Sequence, residues 1–219
     1  MTMGAPLYVY TGNPFVDAGV AAMLAWVEKT RPEELTFEDL TVLKSALLNL
    51  YVTPAWAKAM FSVFVNYPLN NPSYKGEATK RQELEKLLEE LVRGSHELKE
   101  QGDCVDCGRR SMRKPKNRQL VPLTGSGGLR NFFAHAAEGA DYCDTCAFAV
   151  QCAPLTLYAC GKLLLLHSNS YKVLQVWAKR AVTAIHRQIA MGEYTGCFNE
   201  GYSNARNALF HITQDLVLS

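Results

Sequence analysis

The residues most able to do chemistry are cysteines. Of the seven in this 219-residue chain, four fall in two matching pairs, Cys104-Val105-Asp106-Cys107 and Cys143-Asp144-Thr145-Cys146. A Cys-x-x-Cys pair makes a tight knuckle whose two sulfurs reach one ion at about 2.3 Å, and two pairs complete a tetrahedral thiolate shell. A structural zinc ion is the cofactor this pattern points to. Two other readings share the spacing: CxxC pairs that are merely reduced or disulfide-bonded, and an iron–sulfur cluster, which four thiolates also suit. The interval between the pairs, residues 108–142, is longer than the roughly fifteen to twenty residues of a common zinc ribbon. That loosens the likeness to a named ribbon and leaves the ligand chemistry intact.

The interval carries a second kind of chemistry. Arg109, Arg110, Arg113, Lys114, Lys116 and Arg118 follow one another with no acid among them. A glycine-rich turn comes next, with Gly125, Ser126, Gly127 and Gly128 ahead of Arg130 and Asn131. Cations neutralise phosphates, and glycines let backbone N–H groups approach an anion or a base edge closely. A metal clamp at the base of a basic, glycine-rich insert therefore reads as a nucleic-acid contact. The formal net charge of the whole chain is only +2, so such contact has to come from local patches like this one.

Other chemistries fit poorly. A zinc deaminase needs His-x-Glu followed by Pro-Cys-x-x-Cys; here two residues separate His135 from Glu138, and Tyr142 precedes Cys143. A catalytic zinc also keeps a coordination position open, which four cysteines close. Gly125 to Gly128 lacks the Lys-Ser/Thr of a phosphate-binding loop and the full dinucleotide fingerprint. His96, His135, His167, His186 and His211 are scattered and read as surface or hydrogen-bonded residues. A non-catalytic protein is the expectation.

The elements that must hold these residues are mainly helical. Hydrophobic residues make up 48% of the chain and charged ones 20%, a globular balance. Leu7–Tyr10 predicts a short strand. Pro14 opens a helix through Glu28 that is apolar on nearly all sides and so belongs at the centre. Thr36 and Asp39 make a capping signal ahead of Leu40, Leu43, Leu47 and Leu50. Thr53-Pro54 starts a helix to about Asn66, residues 67–76 form a loop, and Lys80–Arg93 is a surface helix with one leucine stripe, ended by Gly94. Ala147–Gln151 continues the second knuckle as a helical turn. Residues 155–167 predict a hairpin turning at Cys160-Gly161. A long helix covers Tyr171–Ala190, with Lys179, Arg180 and Arg187 on its polar side, and residues 192–207 are irregular. Leu209–Ile212 begins a further element, which implies a fold continuing past Ser219 or a fragment. Cys152, Cys160 and Cys197 read as buried apolar residues. The fold class is α+β, mainly helical, in three parts: an N-terminal helical part (1–102), a zinc-binding basic insert (103–150), and a hairpin plus helices completing the same domain (151–219). The first ten residues have no signal-peptide character and no stretch is long enough to span a membrane. A reducing cytoplasm suits the cysteines.

Four stretches together resemble a known family. Thr11-Gly-Asn-Pro-Phe-Val-Asp-Ala-Gly19, Pro122–Phe133 followed by Cys143-Asp-Thr-Cys146, Gly161–Asn169, and more weakly Asn207–Phe210 are similar to the large subunit of type I CRISPR effector complexes (Cascade), in its zinc-containing I-A/I-B branch. Such subunits usually carry a further helical C-terminal domain, which has no counterpart here. The resemblance implies a prokaryotic protein that reads the protospacer-adjacent motif (PAM) of double-stranded target DNA and helps start unwinding, while guide RNA pairing reads the sequence. It implies partnership with guide RNA and other Cascade subunits, and with a recruited nuclease-helicase or transposon proteins. Arg130 and Asn131 would address base edges or phosphates, the 109–118 run would hold flanking phosphates, and Asn13, with Thr11, is a second candidate reader.

Overall fold

The computed structural model describes residues 8–64, 67–96, 104–108, 119–124, 139–202 and 204–218. Seven α-helices and one small hairpin are formed among them. Helix α1 (Pro14–Trp26) sits at the centre, buried without interruption from Val16 to Leu24. A helix apolar on every side has to be covered on every side. Helices α5 (Asp144–Cys152) and α6 (Tyr171–Met191) cover it, with a 3₁₀ turn at Ala153–Thr156 between them. Helix α4 (Glu77–His96) packs on α5 and on α2 (Phe37–Tyr51). Helices α3 (Pro54–Val63) and α7 (Ala205–Leu218) complete the set. No described helix is long and apolar enough to cross a membrane.

Local signals explain most helix starts. Asn13 Oδ1 accepts from the backbone N–H of Phe15 at 2.9 Å and of Val16 at 3.3 Å, capping α1. Thr36 and Asp39 exchange side-chain-to-backbone bonds at 3.3 and 2.6 Å, the reciprocal capping box expected there. Leu40, Leu43, Leu47 and Leu50 are buried as their spacing predicts. Thr53 precedes α3, but its hydroxyl donates to the Leu50 carbonyl instead of capping. Helix α3 stops at Val63, ahead of the expected Asn66, because Phe64 turns extended and buries its ring.

Several expectations need correction. Tyr8–Tyr10 joins no strand, with Leu7 outside the described residues. Its aromatic side chains pack instead: Tyr8 is buried in the core and Tyr10 stacks on Tyr171. The hairpin is shorter than residues 155–167, pairing β1 (Tyr158–Ala159) with β2 (Leu163–Leu164) across a three-residue turn. Gly161 in that turn has φ +75°, a left-handed conformation glycine adopts without strain. Gly94 does not end α4, which runs on to His96. A Cβ at Gly94 would lie 1.9 Å from the Asp144 carboxylate, so this glycine makes room for the first residue of α5. Helix α7 begins at Ala205, four residues before the expected Leu209.

The closest backbone approach lies where α1 meets α5. A Cβ at Gly19 would fall 1.8 Å from the carbonyl oxygen of Ala149. Gly19→Ala gains about 1 kcal/mol of helix propensity but forces backbone against backbone. The clash should win, with a net loss of about 1–3 kcal/mol in urea denaturation. Gly94→Ala should cost less, because a side chain can swing away where a carbonyl cannot.

Candidate metal centre

The two knuckles converge. The sulfurs of Cys104, Cys107, Cys143 and Cys146 all lie within 4.8 Å of one another. Cys107 and Cys143 are 3.8 Å apart at sulfur, nearly twice a disulfide bond length of about 2.05 Å. It is also the edge of a tetrahedron whose centre sits about 2.3 Å from each corner. Three of the sulfurs are buried and Cys107 partly so.

Each knuckle is built by its own backbone. In the first, the Gly108 N–H donates to the Cys104 carbonyl at 2.9 Å, and Gly108 takes φ +61° to close the turn. In the second, Cys143 is the N-cap of α5, and its sulfur accepts from the Cys146 N–H at 3.4 Å. Two bonds hold the knuckles to each other: Val105 N–H to the Asp141 carbonyl at 2.7 Å, and Cys143 N–H to the Cys104 sulfur at 3.3 Å. The N-terminus of α5 also favours negative charge at Cys143 and Cys146.

Hydrogen bonds from Cys107, Cys143 and Cys146 hold the Cys104 thiol far below its ordinary range. The same contacts with Cys104 push Cys143 and Cys146 far above it. Four sulfurs this close cannot all be thiolates unless a cation lies among them. The donor set and spacing fit a divalent ion, which would let all four sulfurs carry charge together. Burial pushes the Asp106 carboxyl up to about 6, against a hydrogen bond from Thr11, and the Cys104 charge adds to the rise.

The N-terminal loop braces this site. Thr11 Oγ1 donates to Asp106, inside the first knuckle, at 3.1 Å. Asn13 Nδ2 donates to the hydroxyl of Tyr142, beside Cys143, at 2.9 Å. Asp17 in α1 is 1% exposed. Its carboxylate accepts from the backbone N–H of Thr11 at 2.6 Å and of Gly12 at 3.0 Å, and His167 Nε2 lies 3.5 Å away. A buried carboxylate demands such partners, so Asp17 shapes the loop that touches both knuckles. Asn13 thus spends its amide on the cap of α1 and on Tyr142. The braces at Thr11, Asp17, Asp106 and Tyr142 escape pattern reading. The one visible signal is an acid inside an apolar helix.

The interval between the knuckles returns to the core midway. Val121 is buried, Gln151 Nε2 donates to the Leu120 carbonyl at 2.7 Å, and Thr124 Oγ1 to the Val121 carbonyl at 2.8 Å. Beside them Leu123 is 90% exposed with φ +65°. The anchor at residues 119–124 divides the interval in two. Arg109, Arg110, Arg113, Lys114, Lys116 and Arg118 belong to the first arm, and Gly125, Ser126, Gly127, Gly128, Arg130 and Asn131 to the second; both sets lie outside the described residues. The leftover Cys152, Cys160 and Cys197 are buried, as expected.

Elemental analysis of the purified chain should find one divalent ion per molecule. Removing it with a strong chelator should unfold the knuckles and fray α5, because structural metal binding is folding free energy. Cys143→Ser keeps an N-cap oxygen but deletes a thiolate; metal content and the thermal midpoint should both fall. Asn13→Ala leaves the ligands in place and should weaken metal affinity by about tenfold in chelator competition.

No curated protein and no solved structure matches the chain. Residues 97–158, which hold both knuckles, the whole interval between them and α5, match the family model described as CRISPR-associated protein (Cas_CXXC_CXXC), and this supports a CRISPR-associated protein.

Proposed function

We propose that the chain is a non-catalytic subunit of a type I CRISPR ribonucleoprotein surveillance complex, of the large-subunit kind, working in the prokaryotic cytoplasm. It recognises the PAM of double-stranded target DNA and helps begin unwinding. The observation that carries this reading is the four-sulfur clamp, inside a CRISPR-associated family match, at the base of an acid-free basic run and a glycine-rich turn. The metal is zinc in a structural role, since four thiolates close its shell. Sulfurs within 4.8 Å of one another also suit a single ion better than an iron–sulfur cluster, whose cysteines are spread over two or four irons.

In this reading the division of labour follows the two arms. The 109–118 arm meets phosphates, which position the duplex without reading it. The arm with Gly125, Ser126, Gly127, Gly128, Arg130 and Asn131 reaches base edges. A base contact by Asn13 would have to displace its bond to Tyr142, so Asn13 serves the reader chiefly by holding the second knuckle. A second reading, a zinc-stabilised scaffold that docks guide RNA or another protein without reading DNA, draws on Val105, in the first knuckle, and Leu123, midway along the interval, which are 63% and 90% exposed.

Charge reversal at Arg109, Arg110, Arg113 and Lys114 tests the first reading in the assembled complex. Duplex affinity should drop by about tenfold or more, and the salt slope by about one for each phosphate left without its cation. Asn131→Ala should shift PAM preference more than overall affinity. Unchanged duplex binding, with a footprint of the insert on RNA or protein alone, would transfer support to the scaffold reading.

A further inference from the structure

Helix α6 contains no acid over its 21 residues. Among its cations, Arg180 is committed to Glu200 at 2.6 Å and to Asp215 at 3.0 Å. Lys172, Lys179 and Arg187 are exposed and have no ion-pair partner among the described residues. They recur every two turns, seven and eight residues apart, which spaces them about 10 and 12 Å along the axis. Three unpaired cations in a row on an acid-free helix are unusual in a chain whose net charge is only +2.

Of this row, Lys179 lines a groove of about 480 Å³ between α6 and the C-terminal end of α1. On the α6 side Gln175, Val176, Lys179, Thr183 and His186 line it. Glu28 and Lys29 close the α1 side, and Lys29 is already paired with Asp39. At the head of α6, Tyr171 stacks on Tyr10 with ring centres 4.2 Å apart and planes 8° from parallel. Tyr10 packs against the core, while Tyr171 is 48% exposed. One ring face is therefore backed by a second ring and its other face is open. Cations that track a backbone beside an aromatic platform are how single strands are held without regard to sequence. Gln175 uses its amide N–H groups on Tyr10 and Thr30, leaving its carbonyl oxygen to accept.

We propose that the exposed face of α6 beside this groove binds a single nucleic-acid strand, with a base on Tyr171 and phosphates on Lys172, Lys179 and Arg187. The site stands apart from the cysteine insert. Asn13, which braces the knuckles, and Ala25, which lines the groove, are twelve residues apart along α1, or about 18 Å.

The test is fluorescence anisotropy with the full chain and a labelled mixed-sequence RNA strand of about 12 nucleotides. Wild type should bind. The triple variant Lys172→Glu, Lys179→Glu, Arg187→Glu should bind at least about tenfold more weakly, with a salt slope flatter by about 2. Tyr171→Ala should lose about fivefold to a hundredfold, and Tyr171→Phe should retain binding. Metal content and far-UV circular dichroism at wild-type values keep misfolding out of the comparison. Ultraviolet cross-linking of the unmodified chain, read by mass spectrometry, should land on α6 or the end of α1. Affinity unchanged in the triple variant, or cross-links confined to other segments, would each overturn the proposal. Duplex binding by the assembled complex should be untouched by the α6 variants, so the groove and the insert succeed or fail separately.

Discussion

Helix α1 touches α5 backbone to backbone, and the position of everything at the metal centre follows from that contact. Gly19 lets the Ala149 carbonyl come to where any side chain would stand. Because α5 starts at the second knuckle, seating it on α1 also seats Cys143 and Cys146. The first knuckle is then placed by Val105 and Cys104 bonding to the strand of chain just before α5. Sulfur geometry is thus set by packing in a hydrophobic core, and a bound ion would complete an arrangement the core has largely prepared. Such preparation lowers the ordering cost that a site assembled from free loops would carry.

The two ends of α1 are put to different use. At its N-terminus the Thr11–Asn13 loop, shaped by the buried carboxylate of Asp17, reaches both knuckles. At its C-terminus the helix forms one wall of an open groove with α6. Between them the helix is sealed on every side. A rigid central rod with polar work at each end is a direct product of the uninterrupted apolar run that the sequence shows from Val16 to Leu24.

Much of this was legible beforehand because it depends on local spacing. The Cys-x-x-Cys pairs, the leucine stripe of α2, the Thr36–Asp39 cap and the all-apolar character of α1 each follow from neighbours a few residues apart. What could not be read depends on partners far away in the chain. Gly94 looks like a helix stop because glycine often is one; its true reason is Asp144, fifty residues later. Asn13 caps the helix that follows it, but its bond to Tyr142 spans 129 residues. Tyr8–Tyr10 has the composition of a strand, and no neighbouring strand exists among the described residues to pair with it. Composition states what a segment tolerates, and tertiary contact decides among the options.

Burial of Val121 between the two knuckles has an evolutionary corollary. A stretch of chain fixed at both ends and pinned in the middle closes as two separate stretches, and the closure cost of each depends only on its own length. Residues can be added, removed or exchanged in one half without loosening the other or disturbing the helices beneath. Such an arrangement lets the sequence between the anchors change under selection while the scaffold stays still.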